Sequence, residues 1–250
     1  MSGYTGGCNL ADEYINTKEM NGYWKDVGVK ITGRAVDGLT LFFLRQWEFV
    51  TEIREDYSIF LDKCENIKNK SVVVPYADGF DYEHSVGRGV YENIISGAKE
   101  FVYIMTPYFV VDDGFSNLLI NKALSGVDVR IVLPEIPDKT YVYSVTRNNA
   151  EKLIDYGVKV YTMNNSFVHA KVVISEHSVA LGSINLDLRS FYQQFECGVY
   201  SNDKNFSFSV KQDFESVFIN SKLITAEDRR RNNLFSRIKA GLMQLFAPFM

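Results

Sequence analysis

A chain of 250 residues, 46% hydrophobic and 14% aromatic, has ample material for a packed core, which excludes a disordered chain and allows one large α/β domain or two small lobes. The net charge of −4 supplies no whole-molecule field for nucleic acid, so any basic partner surface has to be local. Cys8, Cys64 and Cys197 form an odd, widely spaced set without a CxxC pair, which argues against a disulfide framework and a zinc site and fits a reducing, cytosolic-side setting.

In chain order, the amino terminus MSGYTGGCNLADEY has neither the basic start nor the apolar run of a signal peptide, and no stretch of about 18 or more apolar residues spans a bilayer. LTLFFLRQWEFV, Leu39 to Val50, is apolar on most faces and follows Gly33 and Gly38, so it predicts a buried helix. The polar run KCENIKNKS after Asp62 marks a boundary near residue 65. Beyond it strands and helices alternate. VVVPY, FVYIMTPY, DVRIVLP and KVYTM are separated by helical patterns around YENIISGAK, FSNLLINKALSG and YVYSVTRNNAEKLIDYG, and the hairpin AKVVISEHSVALGS and the strand FECGVYS follow. Such alternation implies βαβ units and an α/β fold with a mixed, largely parallel sheet covered by helices on both faces. The polar run at residues 78 to 84 predicts a surface loop carrying an exposed His84, and His177 falls in the hairpin turn, also exposed.

An internal echo gives the organisation. TGGCNLADEY, Thr5 to Tyr14, aligns with LGSINLDLRS, Leu181 to Ser190: Gly6 matches Gly182, Gly7 matches Ser183, Asn9 matches Asn185 and Leu10 matches Leu186. One complete lobe over residues 66–222 is therefore expected, preceded by the remnant of a similar lobe over 1–65 and followed by a basic amphipathic helix over 223–250.

The chemistry centres on FVHAKVVISEHSVALGSINLD, Phe167 to Asp187. Imidazole transfers protons near neutral pH and can also attack phosphorus to give a phosphohistidine. A lysine two residues on along a strand shares its face, so His169 and Lys171 converge on one phosphate. Ser183 and Asn185 return on the hairpin with uncharged donors for phosphate oxygens, and Glu196 is placed to hold the imidazole tautomer. Exchange of a phosphate ester through phosphohistidine normally uses two histidines, and of the three here only His169 is followed two residues later by a lysine.

HAKVVISEHSVALGSINLDLRSFYQQFECGVY resembles the second His-Lys-Asp motif of the phospholipase D superfamily. GYWKDVGVKITGRAVDGLTLFFLRQWEF, MTPYFVVDD, LPEIPDK and the FAPF terminus narrow the resemblance to bacterial cardiolipin synthases, from about Tyr4 to the last residue. The resemblance implies two motifs in two lobes facing one cleft. One histidine attacks the phosphatidyl phosphorus; the other protonates the departing alcohol and activates the incoming one. It makes His169 the second-motif histidine, groups Lys171, Glu176 and Glu196 with it, and assigns phosphate contacts to Ser183, Asn185, Gly7 and Asn9. The implied reaction joins two phosphatidylglycerol molecules into cardiolipin and releases glycerol, with no metal or organic cofactor. Glu176 stands where the motif carries Asp, and the interval to Gly182 is one residue short. The first His-x-Lys and the amino-terminal membrane helices of such synthases are absent from this sequence.

At the carboxy terminus Leu234, Phe235, Ile238, Leu242, Leu245, Phe246 and Phe249 share one helical face, while Arg229, Arg230, Arg231, Arg237 and Lys239 add five positive charges. That pattern suits the surface of an anionic phosphatidylglycerol membrane, on the cytoplasmic side and peripheral; a terminal helix docked on its own domain fits equally. Three functional readings follow: part of a cardiolipin synthase completed by a missing amino-terminal part, a homodimeric phosphodiesterase in which two copies of His169 meet, and an inactive membrane-binding remnant.

Overall fold

The computed structural model describes residues 1–61, 71–80, 82–231, 241 and 243. Its first strands are β1 (Ser2–Gly6), β2 (Tyr23–Lys25) and β3 (Gly28–Thr32), followed by helix α1 (Ala35–Thr51). Then come β4 (Val73–Asp78), α2 (Val86–Gly97), β5 (Phe101–Met105), β6 (Phe109–Val110), α3 (Asp113–Leu124), β7 (Asp128–Pro134) and α4 (Thr140–Lys152). The remainder is β8 (Lys159–Met163), β9 (Ser166–Val168), β10 (Val172–Ser175), β11 (Val179–Gly182), β12 (Leu186–Asp187), α5 (Leu188–Tyr192), β13 (Glu196–Ser201), α6 (Lys204–Ile219), β14 (Ser221–Leu223) and α7 (Ala226–Arg231).

Eight strands form one sheet in the order β14-β8-β7-β5-β10-β11-β13-β4. The expected α/β architecture is present, but parallel pairing is confined to β5, β7 and β8; every other neighbour pair in this sheet is antiparallel. The reason lies in the connections. The crossover helices of β5-α3-β7 and β7-α4-β8 set down parallel neighbours, whereas α2 and α6 join strands that are not adjacent, and β10 and β11 are joined by a tight turn. Their β-branched strands are buried on both faces, as a central sheet requires: Val102, Ile104, Val129, Ile131, Val173 and Ala180 pack under α2 and α3, and Val132, Val172, Ile174, Val179 and Leu181 pack on the other side against Phe214 and Val217 of α6. The α6 helix, KNFSFSVKQDFESVFI, is not among the elements expected from the sequence, although Phe206, Val210, Phe214, Val217 and Phe218 recur at helical spacing and form its buried stripe.

Helix starts are capped by side chains. Ser85, Asp112, Asp187 and Asp203 accept from Arg88, Phe115, Ser190 and Phe206 N–H, each worth about 1 kcal/mol. The run at 78 to 84 is thus only partly a surface loop. His84 is exposed, but Asp78 is buried and accepts from Val86 N, Gly87 N and Ser85 Oγ at the start of α2. The helix expected at Leu39 to Val50 forms, yet only Val36 and Leu44 of α1 are buried; Phe43, Trp47, Phe49 and Val50 are exposed, because β1, β3, β4 and the turn at Tyr57–Phe60 cover one side of it.

The expected boundary at 65 lies outside the described residues. The segment before it rests on the large sheet through β1, which lies beside β11 and β13 with Thr5 Oγ1 3.2 Å from Cys197 Sγ, while β2 pairs in parallel with β9 in a separate two-stranded sheet. Of the basic terminal segment, Arg229 is half-buried and paired with Asp155, while Arg230 is exposed. Met243 packs against Val110, Val142 and Val145 of the chain's own fold. The side chain of Arg231 and the whole of Phe235, Arg237, Lys239, Phe246 and Phe249 lie outside the described residues.

Candidate active site

His169 and Lys171 occupy the turn between β9 and β10. The parallel pairing of β2 with β9 ends where Lys25 O accepts both His169 N, at 2.8 Å, and Ala170 N, at 3.0 Å. The next residue, Asp26, then reaches the imidazole. Its Oδ2 lies 2.8 Å from His169 Nδ1, and its Oδ1 accepts from Val27 N at 2.8 Å. Lys25 is anchored in turn by an ion pair to Asp213 of α6 at 2.6 Å. The rings of Trp24, Phe167 and Tyr14 surround the imidazole at centroid distances of 5.6, 5.7 and 5.0 Å.

Lys171 Nζ donates to His169 O at 2.6 Å and lies 2.7 and 2.9 Å from the two ring nitrogens. Nδ1 cannot serve both Asp26 and the ammonium. A neutral ring that donates Nδ1–H to the carboxylate leaves Nε2 to accept from Lys171, which satisfies all three groups. Burial lowers the proton affinity of His169 and Lys171's charge lowers it further, while the Asp26 hydrogen bond opposes both. Burial acts to raise the Asp26 pKa, but the hydrogen bond to His169 and the charge of Lys171 outweigh it and hold the carboxyl below its usual range. Lys171, almost wholly buried, is pushed down to about 8 by desolvation against the pull of Asp26 and Glu196. At neutral pH the site therefore holds an ionised Asp26, a neutral imidazole with a directed Nε2 and a weakly held proton on Lys171.

A cleft of about 620 Å³ opens over these groups. His169, Lys171, Ser183, Asn185, Glu196, Gly7 and Asn9 all line it, so seven of the expected positions come together. The hydroxyl of Ser183 is engaged by the backbone, accepting from Cys197 N at 3.0 Å and donating to Cys197 O at 3.2 Å. Asn185 donates to Ser190 Oγ, and its Oδ1 is buried without a partner among the described residues. Asn9 donates to Tyr14 Oη at 2.8 Å. A side chain at Gly7 would strike Asp26 Oδ1 at 2.2 Å, so glycine is what lets β1 pass over the dyad.

Two expectations need correction. Glu176 does not line the cleft: it follows β10 and accepts from Lys99 N at 2.6 Å and Phe101 N at 3.3 Å, bracing the start of β5. Glu196 is in the cleft but does not orient His169; Asp26 does. Glu196 instead sits near Ser190 Oγ, 3.5 Å away, and burial pushes its pKa up to about 7 against the Ser183 hydrogen bond and the charge of Lys171.

The relation between Asp26 and Glu196 is a repeat in three dimensions. Gly6 pairs with Gly28 across β1 and β3, and Gly182 pairs with Gly198 across β11 and β13. Gly7 N donates to Val27 O at 3.0 Å, and Ser183 N donates to Cys197 O at 2.9 Å. A Cβ on Gly6 or on Gly182 would meet the opposite carbonyl, Val27 O or Cys197 O, at 2.3 and 2.2 Å. Each acid stands two residues before the paired glycine, so Asp26 and Glu196 hold equivalent posts.

The chain is similar to proteins of one family. The family described as "Cardiolipin synthase, PLD-like domain" matches residues 91–218. An uncharacterised protein of Streptococcus mutans is 37% identical over 249 residues, and cardiolipin synthase 1 of Staphylococcus epidermidis is 33% identical over 253. Both alignments take in 99% of this chain but 54% and 51% of those proteins, so the chain spans about half the length of the curated relatives it matches. Among solved structures, phosphatidylserine synthase of Haemophilus influenzae superposes with a TM-score of 0.75 over all of this chain and 69% of its own, at 14% identity. Nuc of Salmonella typhimurium, a phospholipase D family member, gives 0.53 over 63% of this chain and all of its own, at 18% identity. These two establish the fold.

Proposed function

Since the chain belongs to the cardiolipin synthase, phospholipase D-like family, we propose that it carries one half of a phosphatidyltransferase site that makes cardiolipin from two phosphatidylglycerol molecules and releases glycerol. The observation that carries this reading is the Asp26–His169–Lys171 relay at the floor of the cleft. Lys171 turns from Nε2 to a phosphate oxygen when the headgroup enters, and Asn185 and Asn9 supply further donors. His169 then serves as acid and base: neutral in the empty cleft, it takes up a proton from solvent as the anionic phosphodiester binds beside it, gives that proton to the departing glycerol oxygen when the P–O bond breaks, and as the neutral ring takes one from the incoming hydroxyl when the new P–O bond forms. Between these steps phosphorus is held by a second imidazole through a P–N bond. His84 and His177 are exposed and do not line this cleft, so that imidazole comes from another segment of polypeptide. Glu196, equivalent to Asp26 and near no histidine among the described residues, is the acid posted to receive it.

Membrane location at the cytoplasmic face follows from the same reading, since both substrates are bilayer lipids. The test is to incubate the chain with phosphatidylglycerol vesicles, alone and with the amino-terminal half of the Streptococcus mutans relative, and to measure cardiolipin. Formation that depends on the added half and is lost in His169→Ala supports the proposal. Formation by the chain alone, rising with the square of its concentration, assigns the second imidazole to another copy. Phosphatidylglycerol binding without turnover in either mixture leaves the remnant reading standing in its place.

A further inference from the structure

Beyond the phosphate residues the cleft has a second chemistry. Tyr108, Asp138, Lys139 and Tyr141 line it as well, supplied by the approach to β6, by the loop between β7 and α4 and by the first turn of α4. Tyr108 is fixed through its main chain: Thr106 Oγ1 donates to Tyr108 O at 2.8 Å and Phe109 N donates to Thr146 Oγ1 at 3.1 Å. Its hydroxyl donates to Asp138 Oδ2, and Lys139 Nζ lies 5.8 Å from the ring centroid. The Asp138 carboxylate lies within electrostatic reach of His169, whose proton affinity it raises.

Charge and valence narrow what fits there. A carboxylate only accepts hydrogen bonds and repels a phosphate, and the Lys139 ammonium beside the same ring repels a second cation, so the group it meets is neutral and rich in donors. Oδ2 takes the tyrosine proton, while Oδ1 has no partner among the described residues and the Tyr108 oxygen, having given its proton, keeps lone pairs facing outward. Two acceptors side by side satisfy two hydroxyls on adjacent carbons, whereas a lone hydroxyl satisfies one. We infer that Asp138 and Tyr108 form a subsite for a vicinal diol on the alcohol portion of the phosphodiester, next to the nitrogen that handles its proton. This rests on the phosphate-cleft reading above and names the residues that select the alcohol.

The experiment is titration calorimetry at pH 7 with sn-glycerol 1-phosphate and with propyl phosphate, which has the same charge and chain length without the diol. The wild type is expected to bind the glycerol ester about tenfold more tightly, the size of a hydrogen bond to a charged group. Asp138→Ala should erase the difference between the two esters without weakening propyl phosphate, since the carboxylate it removes repels the phosphate; Asp138 is exposed, so the change leaves the core intact. Tyr108→Phe should remove part of the preference. Phosphate esters that bind wild type equally, or a preference that survives Asp138→Ala, would overturn the subsite alone. A wild type that binds neither ester nor inorganic phosphate sinks the phosphate-cleft reading and the subsite with it.

Discussion

Lys171→Met should make the fold more stable at neutral pH while ending phosphate binding. Lys171 is 2% exposed, and its pKa is about 8 against an ordinary 10.5. At 1.36 kcal/mol per pKa unit, the folded environment disfavours the ammonium by roughly 3 kcal/mol, with the help of Asp26 already included. The folded pKa is the lower one, so the unfolded chain binds more protons between about 8 and 10.5. Stability on this account is present above the unfolded pKa and is lost as pH falls through the folded one. Methionine fills a similar volume without a charge. Its melting temperature at pH 7 should exceed that of the wild type by roughly 6–12 °C, taking about 2–4 °C per kcal/mol for a chain of this size. The gap should close as pH rises from 8 to 10.5. Melting followed by circular dichroism at four or five pH values gives the difference curve directly. A variant that melts below the wild type at pH 7, or a gap that does not narrow with alkali, refutes the claim that the site holds its lysine at a cost.

Asp26→Asn should lower the proton affinity of His169 further, because the Asp26 hydrogen bond is what opposes burial and Lys171; histidine ring signals in a proton NMR titration read this, with exposed His84 and His177 as internal references, and an unmoved or raised His169 midpoint counts against the dyad. Gly182→Ala places a Cβ 2.2 Å from Cys197 O and should cost about 2–4 kcal/mol, whereas Gly97→Ala, with nothing within 4 Å, should stabilise by about 0.5–1 kcal/mol; equal melting temperatures for the pair would remove the close β11–β13 approach from the account. Glu196 ionises near pH 7, so affinity for dimethyl phosphate, a monoanion throughout, should fall more steeply between pH 6 and 8 in the wild type than in Glu196→Gln, where the loss of the Lys171 proton near 8 is what remains. The same raised pKa means that stability from Glu196 is present below its unfolded pKa and lost as pH rises toward 7.

Much of the fold was legible because its strands are short apolar runs between helical patterns, and the site because His169, Lys171, Ser183 and Asn185 keep the two-residue spacing of a strand face. Asp26 was not legible for a physical reason. Its counterpart Glu196 lies 14 residues after Gly182, whereas Asp26 lies 20 after Gly6, so a longer excursion through Tyr14 and Asn16 breaks the echo before it reaches the acid. Aligning the two halves on Gly28 and Gly198 as well as on Gly6 and Gly182 would have found it. Sheet direction was misread for a similar reason: the strand VVVPY precedes a helix and looks like the first arm of a parallel pair, yet β4 is used at the far edge beside β13. Helix α1 looked buried because composition reports apolar content and not what lies opposite it.

The indole of Trp24 lies 4.5 Å from the Tyr14 ring and 5.6 Å from the imidazole of His169, centroid to centroid, and is buried. An imidazolium withdraws an excited indole's electron far more readily than a neutral ring does, so the emission of Trp24 registers each proton that His169 gains or loses. The chain has one other tryptophan, Trp47, which is half exposed and far enough along α1 to be replaced by phenylalanine without touching the cleft. A Trp47→Phe protein thus carries an intrinsic optical gauge of its own acid–base group, readable in a stopped-flow cell during a single turnover, with no label attached and no substrate analogue required.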